Sequence, residues 1–408
     1  MEVLYQRCAG LDVHQQSVVA CARWVERRKV VHEVASFETT TQGLTRLREW
    51  LRGHGCTHAV MESTGVYWKP VWQVLEGTLS LLLAHAQEVR NLPGRKSDVS
   101  DAMWLSDLMA HGLIRGSFVP DSTVQALREL SRTRAQLARE VARHTNRIQK
   151  TLECAGLKLT GLLSDVLGVT GRAMLEALIA GESDPEALIQ LKRRGIKATE
   201  QQLRDALQGR LREHQRLLLR VHLDQIDALE QAIRELEARL GELLDPFRHQ
   251  VELLKTMPGL QETTARIILA EIGFDPTHFP SAAHLVAWAG LCPGSDQSAG
   301  KRRSTRLRKG NAWLRTALVQ AAWAASRKKN SYFRALYQRL RARRGAKKAI
   351  VAVAASMLTS IYFMLLRQTP YADLGPDHFD QRHKERIARR LIRRLGELGL
   401  HVEVKEAA

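Results

Sequence analysis

Cysteine is scarce in this sequence, and the few cysteines form no recognisable pattern. There are five, Cys8, Cys21, Cys56, Cys154 and Cys292, with no CxxC pair among them. Such spacing argues against a disulfide framework and against a structural zinc site, and it fits a reducing compartment. The first residues also lack the charged and then apolar stretch of a signal peptide. We therefore expect a cytoplasmic protein.

Acidic residues are outnumbered by basic ones. The 408 residues include 62 Lys and Arg against 43 Asp and Glu, a net charge of +19. From Gln297 to Arg367 there are eighteen basic residues and no acidic one. Because a solvated helix face normally mixes both signs, this segment indicates a polyanionic partner, nucleic acid before membrane. The basic side chains predicted to bind nucleic acid are Lys301, Arg302, Arg303, Arg306, Arg308, Lys309 and Arg315.

Long apolar runs are also rare. One, Ala349 to Leu366, is about long enough to span a bilayer. It contains three Ser or Thr side chains and follows a dense basic tract, so we predict a buried core helix and no membrane partner. The aromatic residues interleaved with the basic segment, Trp313 among them, are expected to be core residues, with base stacking as the alternative.

The pattern of the chain changes three times, which predicts four parts. Residues 1–118 alternate between strand-like and helical patterns, which is typical of a mixed α/β domain. Residues 119–248 contain two long helical stretches, Val124 to Leu157 and Thr199 to Leu244. The second has near-heptad leucines, and the pair predicts a coiled coil that mediates dimerisation. Residues 249–367 are mainly helical and begin with a Met257–Leu260 turn that resembles a helix–hairpin–helix element. Residues 368–408 form a basic helical tail.

Four carboxylates stand out in the first part. Asp12 lies on the first strand, Glu62 ends a later strand, and Asp98 and Asp101 open a helix three residues apart. RNase H-like folds gather ligands for divalent metal in this order. Magnesium prefers hard oxygen ligands, and carboxylates brought together would repel one another without a cation. We therefore predict that these four residues hold Mg²⁺ or Mn²⁺ for phosphodiester chemistry.

A serine in the basic segment is the candidate nucleophile. Ser298 is followed by Ala299 and Gly300 and then by three basic residues. Small neighbours allow a hydroxyl to approach a phosphate, and adjacent cations stabilise a pentacovalent phosphorus. The residues alone leave a phosphate-binding loop as the simpler interpretation, and Ser295 and Ser304 compete equally. We expect the group that activates the serine to come from elsewhere in the molecule.

Taken together, these segments resemble a known family. The matching pieces are GLDVH, MESTGVYW, KSDVSDA, PGL, AWAGLCPG, QSAGKRR and RKGNAWLR. In this order they are similar to the DEDD transposases of bacterial insertion sequences, the IS110 family, whose recombinases are guided by a bridge RNA. The resemblance covers nearly the whole chain. It implies an α/β RNase H-like (RuvC-like) N-terminal domain, a coiled-coil middle and a C-terminal transposase domain.

The resemblance also implies roles for individual residues. Asp12, Glu62, Asp98 and Asp101 correspond to the family's metal-binding tetrad, and Ser298 to the serine that forms a covalent phosphoserine with DNA. Ala299 follows the serine where many relatives have glycine. The partners implied are donor and target DNA, a bridge RNA and a homotetramer built as a dimer of dimers, in a bacterial nucleoid. In that tetramer the acids of one subunit and the serine of another would form one composite site.

Two other functions remain open on the sequence. A hydrolytic RuvC-like nuclease would use water as nucleophile and the serine loop only to bind phosphate. A non-enzymatic nucleic-acid-binding protein would need neither, but a pure binder gains nothing from carboxylates placed near phosphates.

Overall fold

The structure is a computed structural model that describes residues 3–27, 29–63, 65–84, 98–114, 116–294, 296–298, 301–304, 306–382 and 384–401. The side chains of residues 98, 100, 296–298 and 301–303 lie outside this description. The chain divides into two compact units, Met1–Val119 and Pro120–Ala408. The finer division into four parts remains a prediction.

The first unit is built on a five-stranded mixed sheet. Its strands are β1 (Arg7–Val13), β2 (Ser17–Glu26), β3 (Lys29–Glu38), β4 (His58–Glu62) and β5 (Ser80–Ala84). The order is β3-β2-β1-β4-β5, with β1 antiparallel to β2 and parallel to β4. Helices α1 (Thr41–Gly53), α2 (Trp68–Leu75) and α3 (Asp98–Ala110) complete the unit. The predicted mixed α/β architecture is confirmed.

The two faces of this sheet are covered by different helices. Leu11 and Met61 pack in one buried cluster with residues of α1 and α2. Cys8 and Val60 pack in a second cluster with Leu105 and other residues of α3. Successive residues of a strand point to opposite faces, so even-numbered positions of β1 and β4 face α3.

The cysteines are packing groups where they are buried. All five are free thiols, as the sequence predicts. Burial raises the pKa of Cys8 to about 12, and it raises the pKa values of Cys21 and Cys56 to about 11. These three thiols therefore stay protonated and inert at neutral pH.

Two long antiparallel helices dominate the start of the second unit. They are α4 (Ser122–Cys154) and α8 (Glu213–Leu244), joined by α5 (Val169–Ala180), α6 (Pro185–Gln190) and α7 (Glu200–Ala206). Leu127 near the start of α4 packs with Leu240 near the end of α8. Arg172 on α5 donates two hydrogen bonds of 2.6 Å to Asp227 on α8. The supercoiling and the dimerisation expected of this pair remain predictions.

The sequence predicted a second helical stretch running from residue 199 to 244 without interruption, and this was wrong. The stretch is broken between Ala206 and Glu213. Gly209 lies in the break against the end of α4, where an added Cβ would be 2.4 Å from the carbonyl oxygen of Ala155. The amide of Arg210 donates to the same carbonyl. Backbone contact with α4 therefore replaces the helical hydrogen bonds at this point.

The rest of the second unit is a helical bundle with one small β-ribbon. Its elements are α9 (Arg248–Lys255), α10 (Glu262–Ile272), α11 (Ala282–Trp288), β6 (Asp296–Ser298), β7 (Lys301–Ser304), α12 (Ala312–Ala325), α13 (Tyr332–Arg344), α14 (Ala346–Arg367), α15 (His378–Arg382) and α16 (Lys384–Glu397). The turn between α9 and α10 contains Gly259, whose added Cβ would be 2.4 Å from the carbonyl oxygen of Ala321 on α12. This turn is thus held against α12, and its use as a phosphate-binding hairpin remains a prediction.

Helix α14 is the central helix of this bundle. By length and composition alone it could cross a membrane. However, 56% of its apolar 18-residue stretch is buried inside the protein. Val353, Met357 and Ile361 are fully buried, and the hydroxyl of Tyr362 donates to the carbonyl oxygen of Phe279 at 3.1 Å. The prediction of a core helix is confirmed.

Candidate active site

Asp12 and Glu62 lie side by side at the carboxyl ends of neighbouring strands. The parallel pairing of β1 with β4 aligns Leu11 with Met61, so Asp12 and Glu62 are the next residues on each strand. Both are at even-numbered positions, which places them on the face covered by α3. The side chain of Asp12 is only 15% exposed. Two carboxylates are therefore gathered on one half-buried edge.

Helix α3 runs antiparallel to β1 and brings its first turn to the same edge. The thiol of Cys8 contacts the carbonyl oxygen of Ser106 at 3.4 Å. An added Cβ on Gly10 would be 2.1 Å from the carbonyl oxygen of Ala102. The residue of α3 that contacts β1 thus changes from Ser106 at Cys8 to Ala102 at Gly10. The next residues of β1 therefore lie closer to the N-terminus of α3. Asp101 is therefore positioned toward the end of β1 that carries Asp12, and the backbone of Asp98 opens the same helix.

These four residues, which we call the acidic site, offer the donor chemistry of a magnesium site. Their oxygens are hard ligands of the kind that Mg²⁺ prefers. Within the described part of the chain no cluster of three His, Cys, Asp or Glu side chains is close enough to hold a metal, and the side chain of Asp98 lies outside that part. The set fits the metal in ligand type, and its joint binding of a metal ion remains a prediction.

Neighbouring polar groups orient the acidic site. His14 Nε2 lies 3.2 Å from Asp12 Oδ2, close enough to hold this carboxylate in position. Asp107 on α3 accepts a 2.7 Å hydrogen bond from Nε of Arg23, which is 2% exposed on β2. His32 lies 3.2 Å from the same oxygen. Asp107 is thus engaged in fastening α3 to the sheet.

Ser298 lies at the end of a two-stranded antiparallel ribbon in the second unit. It pairs with Lys301, and Gln297 pairs with Arg302. The ribbon continues through the Pro293–Leu307 bridge and a 3.0 Å hydrogen bond from the amide of Gly294 to the carbonyl oxygen of Arg306. We call residues 292–308 the serine ribbon. Its backbone pairing places a basic residue directly across from the candidate nucleophile.

Most of the predicted nucleic-acid-binding cations lie in this ribbon or directly after it in the chain. Lys301, Arg302 and Arg303 form most of β7, while their side chains lie outside the description. Three more follow as exposed side chains, Arg306, Arg308 and Lys309. Arg315 is half-buried in the first turn of α12. The competing Ser304 has a local role, because its Oγ accepts a hydrogen bond from the amide of Arg306 at 3.2 Å.

One carboxylate in this ribbon was not predicted to take part in the chemistry. We expected the group that activates Ser298 to come from elsewhere in the molecule, yet Asp296 lies on β6 only two residues before Ser298. Its side chain is outside the description, as is that of Ser298. Asp296 is therefore an additional candidate for activating or orienting the serine.

A buried carboxylate anchors the chain just after the ribbon. Glu271 on α10 is 1% exposed. It accepts hydrogen bonds of 2.8 Å from Nε and Nη2 of Arg132 on α4, and one of 2.6 Å from Nδ2 of Asn311. The Asn311 Oδ1 in turn accepts from the amides of Trp313 and Leu314 and caps α12. One buried group thus fixes the start of the helix that carries Arg315.

Arg128 completes this network. It donates to the carbonyl oxygens of Ala270 and Glu271 at the end of α10, and its Nε lies 3.4 Å from a Glu271 carboxylate oxygen. Burial lowers the pKa of the Arg128 guanidinium to about 10, while Glu271 acts to raise it. The guanidinium therefore stays charged at neutral pH and balances the buried carboxylate.

Sequence reasoning missed this network, although it leaves two signals. Glu271 interrupts the apolar run IILAEIGF. A charge buried in such a run destabilises the fold unless it is paired, so partners are expected. Asn311 directly precedes a helix, which is a typical position for a capping side chain. The two arginine partners come from more than a hundred residues away on α4, and spacing could not identify them.

Two family models match the chain in the order that these sites take. One, described as "Transposase" and named for the DEDD motif and IS110, matches residues 9–155. The other, described as "Transposase IS116/IS110/IS902 family", matches residues 251–338. Together they span more than half of the chain, and they include the acidic site and the serine ribbon.

Curated relatives match over a shorter stretch. The "Insertion element IS110 uncharacterized 43.6 kDa protein" of Streptomyces coelicolor is 32% identical over 154 residues, covering 37% of each chain. The "Pilin gene-inverting protein" of Moraxella bovis is 29% identical over 150 residues, 36% of this chain and 46% of the relative. The chain thus spans less than half the length of these relatives. With the two family models, these likenesses show that the chain belongs to the IS116/IS110/IS902 family of transposases.

Proposed function

We propose that this protein is an RNA-guided DNA recombinase of an insertion sequence, which cuts and rejoins donor and target DNA through a phosphoserine at Ser298. The observation that carries the proposal is the pairing of β1 with β4, which sets Asp12 beside Glu62 under the first turns of α3. A relative whose name describes pilin gene inversion supports DNA rearrangement as the outcome.

In this reaction Ser298 Oγ attacks a backbone phosphorus and forms a serine–phosphate ester. One phosphorus–oxygen bond of the DNA breaks, and the leaving oxygen takes up a proton as a hydroxyl. The serine proton passes to a base, for which Asp296 is a candidate. Attack by a DNA hydroxyl on the phosphoserine then reverses these changes and releases the serine. Cations around the ribbon stabilise the charge that develops on the phosphate oxygens.

The acidic site would hold Mg²⁺ or Mn²⁺ through Asp12, Glu62, Asp98 and Asp101. When bound, such an ion would neutralise phosphate charge and polarise the bond that breaks. The fastening of α3 by Arg23 and Asp107 keeps Asp101 in register with the strands. This arrangement would give Asp12, Glu62 and Asp101 fixed positions before substrate arrives.

The proposed partners are donor DNA, target DNA and a bridge RNA, held by a tetramer in the bacterial cytoplasm. Base pairing with the RNA would choose the sites, and the protein would read RNA shape and backbone. The exposed cations Arg306, Arg308 and Lys309 suit contacts of this kind, because backbone contacts need charge and no base-specific geometry.

The test is a denaturing gel of protein incubated with Mg²⁺, labelled donor and target DNA, and the element's flanking RNA. We expect a DNA-linked protein band that is lost in Ser298→Ala and in Asp12→Ala. Two matched controls should keep the band: Ser304→Ala in the same ribbon, and Glu76→Gln, an exposed carboxylate of the first unit.

A hydrolytic nuclease is the second candidate. The acidic site favours it, since metal-bound carboxylates are sufficient to cut DNA with water. It predicts cut DNA without a linked band, with Ser298→Ala retaining cleavage and Asp12→Ala losing it. That result would overturn the phosphoserine assignment and leave the serine ribbon as a phosphate-binding element.

A further inference from the structure

Helix α4 carries a row of basic side chains on one side. Arg139, Arg143, Arg147 and Lys150 are spaced four, four and three residues apart, and we call them the basic stripe. At 3.6 residues per turn they fall within an arc of about 80°. The buried residues Ile148 and Leu152 lie on the opposite side of the helix. The stripe therefore follows the outward face of α4.

The side chains of the stripe are exposed and little engaged within the protein. All four are exposed to solvent. Arg143 pairs with Glu140 on the same helix, and this pair is open to solvent. An exposed ion pair of this kind is weak, so a phosphate can replace its carboxylate. The stripe contrasts with Arg132, about two turns earlier on the same helix, which is committed to the buried Glu271.

An aromatic ring extends the stripe at one end. The guanidinium carbon of Arg139 lies 4.7 Å from the ring centre of Trp313 on α12, and that of Arg132 lies 5.9 Å from it. These cation–π contacts hold Arg139 in place without neutralising its charge. A depression of about 270 Å³ at this point is lined by Arg139, Trp313 and Thr316.

A second depression lies at the other end of the stripe. It measures about 300 Å³ and is lined by Arg147, Lys150 and Thr151 of α4 with His222 of α8. From the first to the last residue the stripe rises about 16 Å along the helix. One strand of a duplex carries a phosphate every 3.4 Å or so along its axis, so this length matches roughly five phosphates.

We propose that the basic stripe is a second nucleic-acid contact, which binds the phosphodiester backbone of a duplex independently of the serine ribbon. The proposal deepens the proposed function by assigning it a binding surface, and it rests on that function only in assuming a nucleic-acid partner. Evenly spaced cations on one helix face recognise charge and spacing, so the stripe positions the duplex without reading its sequence.

The test compares the full-length protein with Arg139→Gln/Arg143→Gln/Arg147→Gln. The matched control, Arg193→Gln/Arg194→Gln/Lys197→Gln, removes the same charge from an exposed loop between α6 and α7. Binding to a labelled DNA duplex and to an RNA duplex of the same sequence is measured in EDTA across a range of salt. EDTA prevents cutting, so binding is measured separately from the chemistry of the proposed function.

For the stripe variant we expect weaker binding and a slope of log K against log salt smaller by about 3, since each lost phosphate contact removes about 0.9. The control should match wild type. A change with DNA alone identifies the DNA backbone as the ligand, and a change with RNA alone identifies the guide. An unchanged slope with both duplexes overturns the proposal, whatever the outcome of the gel assay.

Loss of folding in the triple variant would be detected by circular dichroism. In that case the single variants Arg139→Gln and Arg147→Gln take its place, each with an expected change in slope of about 1. Both side chains are exposed, so neither substitution removes a buried contact. A slope unchanged in both single variants would also overturn the proposal.

Discussion

Glu271 shows how one buried charge can organise a large part of the second unit. Its carboxylate connects α4, α10 and the start of α12 through Arg132, Arg128 and Asn311. A buried ion pair adds little net stability compared with an apolar core, but removing one partner leaves an uncompensated charge. Compared with an apolar residue at this position, Glu271 therefore fixes the relative positions of α4, α10 and α12 and adds little net stability.

We predict that Glu271→Ala lowers the free energy of unfolding by about 3–5 kcal/mol, because two guanidinium groups lose their shared carboxylate. Urea unfolding of the purified protein measures this change. The control is Glu262→Ala on the same helix, which breaks an exposed pair with Arg266 and should cost less than about 1 kcal/mol. Equal costs for the two variants would contradict the role assigned to Glu271.

The residues of the candidate site differed in how far sequence could identify them. Asp12 and Glu62 each lie at the end of a strand-like run, and the RNase H-like order of the acids along the chain predicted that they would meet. The pairing of β1 with β4 itself came only from the structure. Glu271 depends on two arginines far along the chain, and Asn311 on the exact start of a helix. Such contacts depend on tertiary packing, and the local sequence pattern carries no information about it.

At the scale of secondary-structure elements, the contact between β1 and α3 is very closely packed. Gly10 leaves no space for a side chain, because the backbone of α3 occupies it. Any Cβ there must push α3 away from the sheet, and with it Asp101. The same contact thus supports both the fold of the first unit and the geometry of the acidic site.

Gly10→Ala should therefore destabilise the protein by about 1–3 kcal/mol through overpacking and should also abolish Mg²⁺-dependent cutting. Gly53→Ala at the end of α1 is the matched control, because nothing lies within 4 Å of an added Cβ. Thermal unfolding and the gel assay measure the two effects. If Gly10→Ala behaved like this control, the close packing of α3 on β1 would be disproved.

The strands of the first unit and the long helices could be predicted because each has a clear period, two for strands and about 3.6 for helices. The two short strands of the serine ribbon were not predicted, since the sequence indicated a loop there. The break before α8 could not be predicted, since the apolar spacing continues through it. There a glycine allows the chain to approach the end of α4. A contact between backbones leaves no hydrophobic pattern to detect.

At the scale of the whole molecule, the two candidate centres belong to different units. The acidic site lies in Met1–Val119 and the serine ribbon in Pro120–Ala408. In the proposed tetramer each reaction centre would combine the acids of one subunit with the serine of another. Both halves would then have to be intact somewhere in the assembly, though not in the same chain.

Mixing two inactive variants tests this arrangement. Asp12→Ala and Ser298→Ala should each be inactive, while co-expressed subunits should regain part of the DNA-linked band. A mixture with Ser298→Ala/Asp12→Ala in place of either partner should stay inactive and serves as the control. No recovery in hetero-oligomers shown to contain both variants would mean that each subunit acts alone.

Asn311 has a consequence for the lifetime of the protein. Its side-chain amide donates to Glu271 on one side and accepts from the start of α12 on the other. Asparagine slowly loses its amide nitrogen in water and becomes aspartate, which can still accept but can no longer donate. The 2.6 Å hydrogen bond to Glu271 would then become a repulsion between two carboxylates. Chemical ageing at this one side chain would therefore loosen the anchor behind the serine ribbon while leaving the helix cap in place.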